Sequence, residues 1–468
     1  MLSNNFKIFI FTGGGSCLRT LSVNLDRHLP RLQRNFDPAA IGVERFRSEL
    51  RRKLLAGLAA SLGAVTNPIG SILSGVLAEY AGRKISILIS SIPFLVGWLC
   101  MATANDISLL YAGRLITGIA AGMSTASYTY VAEISTAEDR GFLQSLGPIA
   151  ASFGILLTYT LGSYFKWNIV ALVSVVFAAF TMISIQLVPE SPGYLLKKSK
   201  KEEAFKSLVW FRKSNALAQL EIDKFDAHLK VERVSIKELF MSTSIIKPFF
   251  ILITLFLLQE LSGIYTILFY AVDFFQNADL DIDEHISSII VGIIRLLMSI
   301  VASVLLNKYG RKTLCMISSS GMALSIFIPM AYFRYYEIFT DLDKSFSVVP
   351  LIGILLNVFF SMVGMLPIPW ILVSELFPLR VRPIMGGFVI CLAQCFIFIC
   401  VKIYYDLIEY LNFSGTLFTF FFASVITTLF CKYVLPETKD KNLEDIEKYF
   451  RKHEDTTIYT ISNDSSRV

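Results

Sequence analysis

The sequence GMLPIPWILVSELFPLRVRP, residues 364–383, decides the fold of this chain. Pro367 and Pro369 interrupt its apolar run, and a proline within a helix removes a backbone donor and kinks the helix. In lipid, such a break is tolerated only where neighbouring helices or a water-filled cavity satisfy the freed carbonyl groups. Glu375 and Arg382 follow where the apolar run stops. A hinge at membrane depth that ends in a charged pair is what a moving gate requires.

The composition is that of a protein that crosses the membrane several times. Of its 468 residues, 54% are hydrophobic and only 17% are charged, whereas soluble domains contain about 25% charged residues. The charged residues are concentrated in connectors between long apolar runs. The formal net charge of +6 does not indicate nucleic-acid binding, because Lys and Arg fall mostly in connectors on one inferred side of the membrane.

Eleven apolar runs are long enough to cross the membrane as helices. Each has about 20 residues, which at a rise of about 1.5 Å per residue spans a hydrocarbon core about 30 Å thick. They divide the chain into a basic N-terminal segment (1–53), a five-span bundle (54–187), a linker (188–246), a six-span bundle (247–434) and a polar tail (435–468). The spans are predicted at 54–78, 85–104, 109–131, 141–162, 167–187, 247–271, 286–306, 313–333, 348–371, 384–406 and 413–434.

Basic residues predict the side of the membrane that each connector occupies, because cytoplasmic connectors carry an excess of Lys and Arg. The linker 188–246 and the tail from residue 435 are rich in both, whereas 272–285 carries acidic residues and neither Lys nor Arg. We therefore expect the linker and the C-terminus to be cytoplasmic. Within the linker, 200–213 and 217–240 mix apolar and charged residues at helical spacing. They predict either amphipathic helices lying against the inner face or a solvated helical linker.

Three short motifs occur twice and in the same order, always in connectors assigned to the cytoplasm. Such a duplication indicates two homologous halves, the architecture of many secondary transporters. The arginine of each Gly-Arg-Lys motif has the reach to bond the last carbonyl groups of neighbouring helices or the glutamate of its own half, and so to hold the cytoplasmic mouth closed. The repeated motifs are Gly82-Arg83-Lys84 with Gly310-Arg311-Lys312, Glu133…Arg140 with Glu375…Arg382, and Pro189-Glu190-Ser191 with Pro436-Glu437-Thr438.

The two halves are unequal. Two spans lie between the linker and Gly310, but only one span precedes Gly82, so the first half lacks one helix. Eleven spans and a cytoplasmic C-terminus would also place the basic segment 1–53 outside, against the usual tendency. Either that segment stays inside and the first span inserts unusually, or the natural protein has a different, helical beginning, which is the interpretation we favour.

Together the motifs resemble the sugar-porter family of the major facilitator superfamily, and within it the animal facilitative hexose carriers and insect facilitated trehalose carriers. The resemblance covers residues from about 54 to 450. It implies twelve helices in two six-helix bundles, a plasma-membrane location and alternating access around a central site, and it also indicates that the first helix is missing here. The residues that carry it are Gly82-Arg83-Lys84, Gly113-Arg114 with Gly118 and Gly122, Glu133…Arg140-Gly141, Pro189-Glu190-Ser191-Pro192, Gln259-Glu260-Leu261-Ser262-Gly263-Ile264, Gly310-Arg311-Lys312, Pro367-Ile368-Pro369-Trp370 and Pro436-Glu437-Thr438.

The resemblance implies a sugar site, which this chain matches only in part. Gln259 stands where the seventh helix of the family offers a glutamine to sugar hydroxyls, and Trp370 matches the tryptophan after the proline hinge. An amide and an aromatic face suit a neutral polyol. Glu260, Tyr265 and Arg295 complete the candidate substrate site. The chain departs from the family at Pro148 and Glu260, where glutamine is usual, at Tyr265 and Arg295 (asparagine), at Met362 (glutamate) and at Ala393-Gln394 (an Asn-Trp pair).

Glu260 and Arg295 fall within consecutive predicted spans, where ionisable residues are rare and functional. An unpaired buried charge is costly, whereas a pair that faces the cavity is much less so. We predict that the two residues pair and line the substrate path. A pair that only joins two helices is the alternative.

The candidate gate consists of the repeated charged residues and the hinge prolines. Arg114 begins its predicted span near the outer surface, where it either snorkels towards water or, as the resemblance implies, packs helices together. The gating residues are Arg83, Arg114, Glu133, Arg140, Arg311, Pro367, Pro369, Glu375 and Arg382.

The sequence predicts facilitative uniport of trehalose or a hexose by alternating access, with the sugar and the lipid bilayer as partners. Its four histidines are scattered and its seven cysteines fall mostly in apolar runs, so we expect no metal site, disulfide framework or cofactor. No set of catalytic side chains is indicated, which argues against an enzyme, and neither nucleic acid nor an obligate protein partner is indicated. The alternative is a non-transporting sugar sensor or an inactive, N-terminally incomplete member of the family.

Overall fold

The computed structural model describes residues 63, 65–136, 138–231, 242–269, 284–338, 348–379, 381–441, 443 and 445–450. The predicted N-terminal segment 1–53, the beginning of the first span and the end of the tail lie outside these residues.

The regular structure of the described residues is helical, as the long apolar runs predict. The first half of the molecule contains α1 to α6, a linker contains α7 to α9, and the second half contains α10 to α17. The helices are α1 (65–80), α2 (Arg83–Ala102), α3 (Ile107–Met123), α4 (Ala126–Ile134), α5 (Arg140–Tyr164), α6 (Trp167–Ser184, continued by a 3-10 turn at Ile185–Leu187), α7 (Pro192–Lys197), α8 (Lys201–Arg212), α9 (Asn215–Val231), α10 (Thr243–Leu261), α11 (Ile264–Phe269), α12 (Glu284–Lys308), α13 (Arg311–Ile338), α14 (Val348–Val363), α15 (Ile368–Leu376), α16 (Arg382–Lys402), α17 (Tyr404–Tyr433) and α18 (445–450).

Ten segments of the described residues are long and apolar enough to cross a membrane. They correspond to the second to eleventh predicted spans, and α1 is the described part of the first. Three of them each combine two helices, α3 with α4, α10 with α11, and α14 with α15. The last span departs most from its prediction, since it begins at Asp406 rather than at residue 413. The reason is a kink at Asn412, where φ is 59° and where the two segments of α17 join.

The break between α10 and α11 depends on Gly263. Its φ of +79° is a conformation that favours glycine, and a Cβ atom there would lie 2.5 Å from the Phe420 ring of α17. The backbone N–H of Gly263 donates to Glu260 O at 3.0 Å, and Ser262 Oγ donates to Gln259 O at 2.6 Å. The chain therefore changes direction directly after the predicted substrate residues.

The break between α14 and α15 falls on the proline hinge predicted from residues 364–383. The N–H of Met365 donates to Ser318 Oγ at 2.9 Å, and the same hydroxyl donates to Phe360 O at 2.6 Å. A side chain of α13 thus satisfies backbone groups that the break leaves without helical partners.

α3 packs closely against both α1 and α2. A Cβ atom at Gly113 would lie 2.9 Å from Gly97 O on α2, and one at Gly122 would lie 2.1 Å from Asn67 O on α1. Small residues allow this approach, as is common between membrane helices. Arg114 lies on the same helix and is 1% exposed, so the snorkelling interpretation is wrong and the side chain lies inside the bundle.

The two halves meet mainly along two helix pairs, α1 with α16 and α5 with α12, and α4 also packs against α15 and α16. At the first contact the backbones nearly touch: a Cβ atom at Gly75 would lie 2.6 Å from Pro383 O, and one at Gly387 would lie 2.7 Å from Ser71 O. Glycine at these positions therefore sets the distance between the halves.

The linker helices lie against the end of the first half. Ser207 Oγ on α8 donates to Glu190 O at 2.7 Å, and Arg212 Nη1 donates to Ile134 O at 2.8 Å. The partly buried side chains of Trp210 and Phe211 pack against the core of that half. Of the two interpretations of 200–213, the structure shows the helix that lies against the bundle.

Candidate functional site

The first part of the candidate site is a charged cluster in the first half, which we call latch one and which consists of Arg83, Glu133, Glu190 and Ser191. Arg83 Nη2 and Nε both donate to Glu133 Oε1, at 2.8 and 3.1 Å, and Nη1 donates to Ala78 O at 3.2 Å. Ser191 Oγ donates to the other carboxylate oxygen of Glu133. Both alternatives predicted for Arg83, the helix carbonyl and the glutamate, are therefore realised together.

Glu190 caps the helix that Arg83 begins. Its carboxylate accepts the backbone N–H groups of Arg83 and Lys84, each at 3.0 Å, and that of Ser191 at 2.8 Å. A carboxylate is favourable at a helix N-terminus, where N–H groups have no partner within the helix. Burial raises the pKa of Glu190, against the lowering effect of these N–H groups and of the Arg83 charge.

The second half repeats the arrangement in latch two, which consists of Arg311, Glu375, Glu437 and Thr438. Arg311 Nη2 donates to Glu375 Oε1 at 3.2 Å, and Thr438 Oγ1 donates to Glu375 Oε2 at 2.6 Å. Glu437 accepts the N–H groups of Arg311 at 2.8 Å and Lys312 at 3.2 Å. Glu437 and Thr438 thus repeat the roles of Glu190 and Ser191. Glu190, Ser191, Glu437 and Thr438 belong to the repeated sequence motifs but were not among the predicted gating residues.

The remaining two arginines of the repeated motifs do not pair with the glutamate of their own motif. Arg140 Nη1 donates to Lys441 O at 3.1 Å, and Arg382 Nε donates to Phe377 O at 3.0 Å. Each arginine instead lies within electrostatic range of the glutamate in the other half, Arg140 of Glu375 and Arg382 of Glu133. The second arginine of each motif therefore acts across the interface between the halves.

Two short hydrogen bonds also cross this interface on the α5 side. Gln144 Nε2 donates to Ser374 Oγ at 2.6 Å, and Ser145 Oγ donates to Ser303 Oγ at 2.5 Å. The ion pairs of both latches, in contrast, join residues of the same half. These pairs brace each half, and neutral hydrogen bonds, close helix contacts and the second arginines connect the halves. That the pairs also hold the cytoplasmic mouth closed stays a prediction.

The second part of the candidate site is a polar group near the broken helices of the second half. Gln259 is 0% exposed, and neither its amide oxygen nor its amide nitrogen has a hydrogen-bond partner among the described residues. One turn earlier, the Phe256 ring meets the Trp370 ring edge to face, with centroids 5.3 Å apart. Since buried polar atoms are normally hydrogen-bonded, an amide without a partner beside an aromatic face is suited to bind a ligand.

Gln394 on α16 is a further buried amide, and its Nε2 has no hydrogen-bond partner. α16 packs against α10, α11 and α15. Sequence analysis treated Gln394 only as a departure from the family pattern. The available signal was an amide in the middle of an apolar helix, which is costly to bury unless something binds it.

The predicted ion pair between Glu260 and Arg295 is not formed. Within the part of the chain that the structure describes, Glu260 is 1% exposed and neither carboxylate oxygen has a hydrogen-bond partner, and Arg295 Nε is likewise buried without one. Arg295 on α12 lies near Tyr159 and Tyr265 instead, and Glu260 lies near Cys400 on α16. Consecutive spans need not be neighbours in a bundle: α10 packs against α16 and α17, whereas α12 packs mainly against α5 and α14.

A model of the family described as "Sugar (and other) transporter" matches residues 31–450. The facilitated trehalose transporter Tret1 of Apis mellifera ligustica is 33% identical over 388 residues, which cover 82% of this chain and 77% of that protein. The sugar transporter ERD6-like 6 of Arabidopsis thaliana is 32% identical over 400 residues, 84% of this chain and 81% of that protein.

The solved structures similar to this fold include that of the proton:xylose symporter XylE bound to 6-bromo-6-deoxy-D-glucose. The TM-score is 0.83 at 23% sequence identity, and the match covers 96% of this chain and 99% of that chain. At this identity the likeness concerns the fold, which is the arrangement of two helical bundles described above.

Proposed function

The chain belongs to the sugar (and other) transporter family, and from this premise we propose that it carries trehalose or a hexose by facilitative uniport. Its membership of this family makes the protein a membrane sugar transporter of the major facilitator superfamily, not an enzyme. We place it in the plasma membrane, with both latches, the linker and the C-terminus on the cytoplasmic side.

The observation that carries the proposal is the amide of Gln259, which has no hydrogen-bond partner among the described residues and lies one turn from Phe256, whose ring contacts Trp370. A sugar hydroxyl both donates and accepts, as does an amide, and the C–H face of a sugar ring packs on an indole. Gln394 adds a donor from a neighbouring helix. The substrate of this site is a polyol whose hydroxyls supply the hydrogen bonds that these amides lack.

The way the halves are connected supports alternating access. To open the latch end, α5 must move from α12 and α1 from α16. That movement breaks the Gln144–Ser374 and Ser145–Ser303 hydrogen bonds, whereas the ion pairs of both latches move as parts of their own halves. A neutral hydrogen bond contributes about 0.5–1.5 kcal/mol net, so contacts of this kind are compatible with a movement that repeats in every cycle.

Counterflow of labelled trehalose and glucose in proteoliposomes tests the proposal. We expect one of the two sugars to exchange, an imposed pH gradient to cause no accumulation above equilibrium, and Gln259→Ala to reduce the exchange at least tenfold. Gln186→Ala is the matched control, because the Gln186 side chain lies near the surface and bonds only to Met182 O. Sugar binding without any flux would contradict transport and indicate a sensor.

A further inference from the structure

Arg295 lies where the two halves and the substrate segment meet. It follows Gly292 by one turn of α12 and therefore lies on the same helix face. A Cβ atom at Gly292 would be 3.2 Å from Leu156 Cα and 3.3 Å from Tyr159 Cδ2, both on α5 of the other half. Tyr265, two residues after Gly263 and on the segment that continues from Gln259, is the second tyrosine near Arg295.

The guanidinium of Arg295 has no counter-ion among the described residues. The ion pairs of those residues do not include Arg295, and its Nε is buried without a hydrogen-bond partner among them. Glu260 lies on α10, which packs against α16 and α17 rather than mainly against α12. An arginine that only joined helices would be expected to hold a carboxylate or a backbone carbonyl, as Arg83 and Arg382 do. A cation within a membrane span is costly unless something compensates it.

We propose that Arg295 forms an anion subsite in the substrate path and that the transporter favours a hexose bearing an acidic group, such as a hexuronate. This inference rests on the proposed sugar transport. The planar guanidinium offers two parallel N–H groups to a carboxylate or a phosphate. The hydroxyls of the same sugar bind the unpartnered amide of Gln259, so one ligand satisfies the polar groups of α10 and α12 together.

Exchange measurements in proteoliposomes test the subsite. Glucuronate, glucose 6-phosphate and glucose compete with labelled glucose, and labelled glucuronate is tested directly. The variants are Arg295→Gln and Arg295→Lys, with Arg334→Gln as control, because Arg334 is an exposed arginine at the end of α13 whose partner is Glu337 within the same helix. The melting temperature of each variant in detergent shows that it is folded.

We expect an acidic hexose to compete at least tenfold better than glucose in the unaltered protein. Arg295→Gln should abolish that preference by weakening the acidic hexoses at least tenfold more than glucose, Arg295→Lys should retain part of the preference, and Arg334→Gln should change nothing. Competition by glucose 6-phosphate rather than by glucuronate assigns the anion as a phosphate. The inference is overturned if glucose moves and neither acidic sugar competes better, or if Arg295→Gln weakens all three sugars equally. If no sugar exchanges, neutral or acidic, the proposed transport itself fails.

Discussion

Arg83 and Glu133 form a buried ion pair, with side chains 0% and 1% exposed, in which two guanidinium nitrogens donate to one carboxylate oxygen at 2.8 and 3.1 Å. The equivalent pair of the second half, Arg311 and Glu375, has one hydrogen bond of 3.2 Å. Each pair fastens the first turn of one helix to a short helix of the same half. The duplicated motif therefore supplies one stabilising ion pair to each bundle, in latch one and in latch two. The ion pair of latch one is the stronger.

Removal of one partner of the first pair should destabilise the protein strongly. Arg83→Ala leaves Glu133 buried without its counter-ion, and loss of one member of a buried pair typically costs about 3–5 kcal/mol. Arg311→Ala should cost less, because its pair has the single longer bond. Thermal unfolding in detergent measures both effects.

The control for these variants is Lys200→Ala. Lys200 forms an exposed pair with Glu203 one turn away, and exposed pairs contribute about 0–1 kcal/mol. A melting temperature for Arg83→Ala equal to that of Lys200→Ala would show that the ion pair of latch one does not stabilise the fold.

Gly387→Ala should shift the protein towards the state that is open at the latch end. The added Cβ atom would lie 2.7 Å from Ser71 O, a backbone atom of the other half, so α1 and α16 would have to separate. Gly386→Ala is the matched neighbour, since its Cβ atom would meet no backbone atom and only the Val373 side chain, at 3.2 Å. Reactivity of a cysteine placed at Ser374 reports the opening, because that hydroxyl is buried against Gln144 in the closed interface. Equal reactivity in the two alanine variants would exclude Gly387 as the spacer.

Gly263→Ala should destabilise the bend that positions Gln259. The positive φ alone costs a non-glycine residue about 1–3 kcal/mol, and the new Cβ atom would also lie 2.5 Å from the Phe420 ring. The double variant with Phe420→Ala removes the collision and leaves the backbone strain. We therefore expect the double variant to bind sugar better than Gly263→Ala and worse than the unaltered protein, as measured by equilibrium binding. Full recovery in the double variant would show that the φ of Gly263 is unimportant.

Exchanging the charges of Glu260 and Arg295 should not restore transport. Because the two side chains have different neighbours, Glu260→Arg with Arg295→Glu creates two new unpaired charges rather than a reversed pair. Glu260→Gln should retain at least half of the exchange rate, since an amide has nearly the shape of a neutral carboxyl group and avoids an isolated buried charge. Initial exchange rates of these two variants test both expectations, and rescue by the double reversal would restore the ion-pair interpretation.

Part of the site could be predicted from the sequence, because it depends on local sequence patterns. Pro367 and Pro369 locate the hinge at α14 and α15, since a proline within an apolar run has the same consequence wherever the run packs. The break at Gly263, in contrast, was found only in the structure, from its positive φ. The amide of Gln394 was missed as a candidate because an isolated glutamine in an apolar helix does not reveal what its side chain faces.

The sequence by itself determined the class of the protein, the number of apolar runs, the two homologous halves and the depth of the hinge. These are one-dimensional properties: hydropathy, repetition and the conformational limits of proline and glycine act along the chain. Only the tertiary structure decided which charges meet. Arg83 finds Glu133 fifty residues away, Arg140 and Arg382 act across the halves, and Glu260 and Arg295 do not pair. The reason is that a charge interacts according to the direction and depth of its side chain, and these are set by how whole helices pack rather than by spacing along the chain.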